Sequence, residues 1–107
     1  MRKKRCDRLH LIYSITIGQE VYIGLTAKTQ RTVQLSLRSR INKHLYRCRS
    51  QSLNWKLYSA MRSADTADMQ VQLLHVIRGK TPAHLLEREL IRNLQPSLNT
   101  DQRHKAQ

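Results

Sequence analysis

Acidic residues are scarce in this chain of 107 residues: seven Asp and Glu stand against 20 Lys and Arg, a formal charge of +13. The seven, Asp7, Glu20, Asp65, Asp68, Glu87, Glu89 and Asp101, are scattered, so no group of carboxylates is expected to cage two metal ions. Phenylalanine is absent and tryptophan occurs once, yet a hydrophobic fraction of 39% is enough for a small core. The chain is expected to fold as a single domain of modest stability. Cys6 and Cys48 lack CxxC spacing, so a disulfide scaffold is not expected and a reducing, cytoplasmic setting is. The basic start is followed by a partly apolar stretch, but His10, Tyr13, Ser14 and Thr16 interrupt it and no small-residue cleavage site follows. No apolar run reaches membrane-spanning length. The excess of positive charge points to a polyanionic partner, nucleic acid first.

Residues 9–17 and 21–25 are rich in β-branched and aromatic residues, and Gly18-Gln19 between them suits a tight hairpin. A two-residue loop pairs Ile17 with Glu20, Ile15 with Tyr22 and Tyr13 with Gly24. Tyr13 and Tyr22 then share one face as diagonal neighbours, Cβ atoms roughly 7–8 Å apart. Gly24 leaves space beside Tyr13. The opposite face carries Ile12, Val21, Ile23 and Leu25, a second apolar surface for helices to cover.

From Val33, apolar residues recur at Leu37, Ile41, Leu45 and Cys48, the spacing of an amphipathic helix capped among Thr29 to Thr32. His44 falls inside that stripe and Arg40 at its edge, one turn away. A second helix is expected from Asn54 to Ser63, with Leu53, Leu57 and Met61 on one side, and a third strand from Met69 to Ile77, ended by Arg78-Gly79. Thr81 as cap and Pro82 as first residue open a last helix that runs to Leu94 before Pro96. Its buried stripe is Ala83, Leu86, Leu90, Ile91 and Leu94. Glu87 projects within it, roughly 40° from its centre, and Glu89 projects away. The architecture expected is α+β, a three-stranded antiparallel sheet flanked by helices over residues 9–99. A basic arm precedes it (1–8, with Arg2, Lys3, Lys4, Arg5 and Arg8) and a polar tail follows (100–107).

Taken singly, most of these residues have ordinary explanations. A strand tyrosine is by default a packing residue, a histidine on an apolar stripe a satisfied core histidine, and an arginine at a stripe edge a solvated side chain. Glu87 carries the strongest argument of its own, because a carboxylate in an apolar stripe needs a cation, either a Lys or Arg partner or a metal ion. Cys6 and His10 lack a second pair to complete a zinc site.

In order along the chain stand Leu11-Ile-Tyr13, Val21-Tyr-Ile-Gly24, Leu37-Arg-Ser-Arg-Ile-Asn-Lys-His44 and Leu86-Glu-Arg-Glu-Leu-Ile91, then Pro96 and Asn99. This ordered set resembles the GIY-YIG nuclease family, and the last segment is similar in spacing to the nuclease domain of bacterial excision-repair incision proteins. Leu11 stands where the family usually has Gly, and about eight extra residues separate Tyr22 from Arg40. Arg31 is therefore a rival for the arginine role, although the Arg40–His44 spacing favours Arg40.

The resemblance implies a DNA endonuclease with one Mg²⁺, or Mn²⁺ in its place, held by Glu87 on the scissile phosphate. Tyr13 would be general base, Tyr22 would position the water or share its proton, and Arg40 would neutralise the phosphoryl charge. His44 would hydrogen-bond the phosphate or assist proton transfer, with Gly24 and Asn99 in support. Double-stranded DNA would be held by Arg2, Lys3, Lys4, Arg5, Lys28, Arg38 and Lys43, by a monomer or a homodimer. The resemblance further suggests a bacterial or phage-infected cell. The competing expectations are a basic nucleic-acid-binding module that keeps the fold without cleavage, and a structural protein such as a ribosomal component.

Overall fold

A computed structural model describes residues 8–50, 56–63 and 68–99. Along the chain run β1 (Leu9–Ile17), β2 (Glu20–Ala27), α1 (Val33–Ser50), α2 (Lys56–Ser63), β3 (Met69–Arg78) and α3 (Lys80–Leu94), closed by a 3-10 turn at Ser97–Asn99. The sheet is antiparallel in the order β2-β1-β3, so the expected α+β architecture is present with the first strand at its centre. The basic residues Arg2 to Arg5 and the tail 100–107 lie outside the described residues, as do Leu53 and Asn54. Among the described residues no helix is long and apolar enough to cross a membrane.

The hairpin register follows from its turn. Gly18 takes φ 63, which a two-residue loop between twisted strands requires, and the pairing is Ile17 to Glu20, Ile15 to Tyr22 and Tyr13 to Gly24. On its other edge β1 pairs with β3, and the register shifts between Ile12, opposite His75, and Tyr13, opposite Leu73. One residue of β3 is therefore extra at that level, a bulge that bends an edge strand.

Local polar groups fix where α1 begins. The Thr32 hydroxyl accepts the Leu35 N–H at 3.1 Å, satisfying one of the first-turn donors that lack helical partners. The buried Ser36 hydroxyl accepts the N–H groups of Thr29 and Gln30 and donates to the Thr32 carbonyl, tying the β2–α1 loop to the helix it precedes.

The last helix ends at Leu94 as expected but starts earlier than expected. Its N-cap is Gly79 at φ 101, with no side-chain cap bond, and its first residue is Lys80 rather than Pro82. Pro82 is tolerated because the first-turn N–H groups have no helical acceptors. At the other end Gln95 adopts a left-handed conformation, φ 46, and its N–H reaches the Ile91 carbonyl at 2.8 Å. The turn after it carries Leu98 into the core, while Leu94, expected in the buried stripe, is 62% exposed. Ala83 is fully buried, and Leu86, Leu90 and Ile91 are only partly covered.

The core gathers Tyr13, Ile15 and Ile17 of β1 with Tyr22, with Ile41 and Cys48 of α1, with Leu57, Tyr58 and Met61 of α2, and with Leu98. Burying each large side chain contributes on the order of 1.5–3 kcal/mol, which is how α1 and the short α2 hold to a small sheet. Ile12 and Ile23, alternating to the opposite side of their strands, are also buried.

Candidate active site

A cleft of about 400 Å³ opens where the far end of the hairpin meets α1, α2 and α3. Tyr22 enters it from β2, Arg40, His44 and Arg47 from α1, Tyr58 from α2, and Glu87 from α3. The helical spacing explains the α1 set, since residues three and four apart share a side of the helix.

At the back of the cleft lies a chain of three rings. The Tyr13 hydroxyl and His44 Nε2 are 2.8 Å apart, and His44 Nδ1 is 3.3 Å from the Tyr58 hydroxyl. Tyr22 packs edge-on to His44 with ring centroids 5.8 Å apart, and tilted against Tyr13 at 6.3 Å. Burial, reinforced by the charges of Arg40 and Arg47, holds His44 down to about 4, so its imidazole is neutral at neutral pH. A neutral ring has one donor and one acceptor nitrogen, and each has a phenol to meet. Burial also pushes the Tyr13 phenol well above its ordinary range; Tyr22 and Glu87 add to the rise, and the Arg40 guanidinium beside it pulls the other way.

Two groups in the cleft are held in a costly state. The Arg40 Nε is buried with no hydrogen-bond partner among the described residues. Glu87 is partly buried, and desolvation raises its pKa against a smaller opposing pull from Arg88. Its neighbour His84, one turn earlier at 4.0 Å, is pushed toward the neutral form by partial burial and by Lys80, His10 and Arg88. The cation that a carboxylate in this stripe needs is therefore not supplied by a fixed positive charge at His84.

The structure brings Tyr22, Arg40, His44 and Glu87 to one place. Tyr13 stands behind them, 0% exposed, and does not line the cleft. Arg40 lines it and Arg31 does not. Lys28 is engaged elsewhere, donating through Nζ to the Gln30 and Arg31 carbonyls at 3.0 Å each. Asn99 clamps β2, accepting the Ile23 N–H at 2.8 Å and donating to the Ile23 carbonyl at 2.9 Å. Gly24 is needed for space, since a Cβ there would sit 2.5 Å from the Tyr13 hydroxyl and 2.8 Å from the Tyr22 ring. Arg38 and Lys43 do not line the cleft; they lie on a groove along the outer side of α1 that shares only Arg47 with it.

Sequence reading passed over Tyr58 and Arg47. Tyr58 was findable as the residue beside Leu57 on the stripe that also carries Met61, and Arg47 as the next turn after Lys43 and His44. Among the described residues no group of three or more His, Cys, Asp or Glu side chains forms a metal cage. Comparison with protein-family models, curated proteins and solved structures returns no match.

Proposed function

We propose that the protein is a metal-dependent endonuclease that hydrolyses DNA phosphodiester bonds in this cleft, in the manner of the GIY-YIG family its motifs resemble. The observation that carries the reading is the convergence of Tyr22, Arg40, His44 and Glu87, from β2, α1 and α3, on one cleft of about 400 Å³. A cytoplasmic site of action belongs to the same proposal.

Glu87 fits a single divalent ion, Mg²⁺ or Mn²⁺, because its carboxylate is desolvated and its one ion-pair neighbour among the described residues is a half-exposed histidine. When bound, the ion supplies Lewis-acid stabilisation of charge on phosphoryl and leaving oxygens. The chain's own residues do the rest. Arg40 lines the cleft and offers the phosphate a guanidinium fork. Tyr22, at the cleft wall, is the phenol that reaches the attacking water. Acting as its base requires the phenolate, which takes the proton of the attacking water. Tyr13 is a poorer base, because it is enclosed, its ionisation is disfavoured and its hydroxyl is engaged with His44. Both ring nitrogens of His44 are occupied by phenols, which makes it a positioning residue for Tyr13 and Tyr58.

The test is incubation of the purified protein with supercoiled plasmid, with and without Mg²⁺, beside Glu87→Gln. Metal-dependent nicking that the variant lacks is the expected result. Salt-sensitive binding with no nicking by either protein ends the nuclease reading and leaves a binding module; stoichiometric association with ribosomes favours a structural component.

A further inference from the structure

The groove on the outer side of α1 has a pattern the cleft does not use. Arg38, Asn42, Lys43, Tyr46 and Arg47 line it, a path that climbs α1 while winding about half a turn around it from Arg38 to Arg47. Arg38, Lys43 and Tyr46 are exposed, Tyr46 by 68%. A large aromatic ring set among cations on an open surface is unlike a packing residue, and its company is unlike an ordinary solvated face of mixed charge. Arg47 also lines the cleft that holds Arg40 and Glu87, so groove and cleft are continuous through one side chain.

Charge complementarity selects the occupant. Three cations lining the groove, on a helix with no acidic residue anywhere in its 18 residues, call for a polyanion. An anionic membrane is the poorer fit, because the apolar side of α1, with Ile41 and Cys48, is spent on the core and cannot enter a bilayer. From Arg38 to Arg47 the helix rises about 13 Å. That length matches about four phosphates of one strand along a duplex axis. Tyr46 offers a face for a base, and a base can stack there only if it has left its own stack.

We infer that the outer face of α1 is a nucleic-acid track: Arg38, Lys43 and Arg47 neutralise neighbouring phosphates, Tyr46 stacks on an unpaired base, and the strand runs on into the cleft. The substrate class is then DNA with an unpaired or displaced nucleotide beside the cut, rather than uniform duplex. The destination of the strand rests on the nuclease reading above; the track itself does not.

The experiment measures binding by fluorescence anisotropy, in EDTA so that cleavage plays no part. The probes are a fully paired DNA duplex and the same duplex with an unpaired stretch, each over a series of salt concentrations. Wild type should prefer the second probe, and Tyr46→Ala should weaken that complex about tenfold while sparing the paired one, with Tyr46→Trp restoring it. Arg38→Gln with Lys43→Gln should lower the slope of log affinity against log salt by about 2 on the duplex. Equal affinity of wild type for both probes, an unchanged Tyr46→Ala, or an unchanged slope overturns the inference. Tight binding of these DNAs with a slope the charge variants leave intact, or binding to phosphatidylserine vesicles in their place, does the same. Loss of the track with plasmid nicking retained ends this inference alone. An intact track with no Mg²⁺-dependent cutting of either the plasmid or the duplex with the unpaired stretch ends the nuclease reading alone.

Discussion

The Tyr13 hydroxyl and His44 Nε2 lie 2.8 Å apart, a bond that joins the central strand to the middle of α1 across 31 residues. It fixes two things together, the face of β1 that meets the helix and the rotation of α1 about its axis. A slip of β1 by one residue would turn Tyr13 to the other side of the sheet. Tyr13→Phe should therefore cost about 1–3 kcal/mol, because His44 loses a partner in a buried setting. Urea unfolding of the two proteins measures it.

The same pair gives a pH dependence. His44 titrates near 4 when folded against an ordinary 6.5, so between those values the unfolded chain takes up a proton that the folded chain refuses. Stability tied to His44 is complete above pH 6.5 and is lost as the pH falls toward 4, about 3 kcal/mol in all. Glu87 acts in the opposite sense, since its raised pKa makes the folded chain the first to protonate. The clean measurement is thus the stability gap between wild type and His44→Gln at a series of pH values. It should close on acidification; parallel curves would remove His44 as the titrating group.

Gly24 is defined by what surrounds it rather than by its backbone. A Cβ would meet the Tyr13 hydroxyl at 2.5 Å and Cζ at 2.6 Å, both on a ring held by the core and by His44. Gly24→Ala should destabilise by about 1–3 kcal/mol through overpacking. The readout is a lowered urea midpoint with an unchanged m-value.

Asn99 supplies both hydrogen bonds that the exposed edge of β2 needs at Ile23, which is itself buried. Asn99→Ala strands an N–H and a carbonyl together and should cost about 2–4 kcal/mol. Hydrogen exchange should report it as faster exchange at the Ile23 amide, with β1–β3 amides less affected.

For cleavage, the two phenols should separate. Tyr22→Phe should lower the nicking rate by about 100-fold or more while oligonucleotide affinity stays put, the signature of lost general-base function. Tyr13→Phe should lose less in rate and more in stability. Equal rates for Tyr22→Phe and wild type would return the base to another group.

Much of the architecture was legible along the chain. The hairpin register followed from a glycine turn and the alternation of Tyr13, Ile15 and Ile17; the rotation of α1 followed from Leu37, Ile41 and Cys48; and the place of Glu87 followed from the stripe of α3. A period of two or of 3.6 settles which way a side chain points within its own element, and that much is written locally. What no period contains is how one element is set against another. Packing alone placed β1 at the centre of the sheet, buried Leu98 while leaving Leu94 exposed, and set Tyr58 on His44. It also enclosed Tyr13 while leaving Tyr22 and Arg40 at the cleft. Those outcomes depend on the fit of side chains tens of residues apart, and only the assembled tertiary structure brings those shapes into contact.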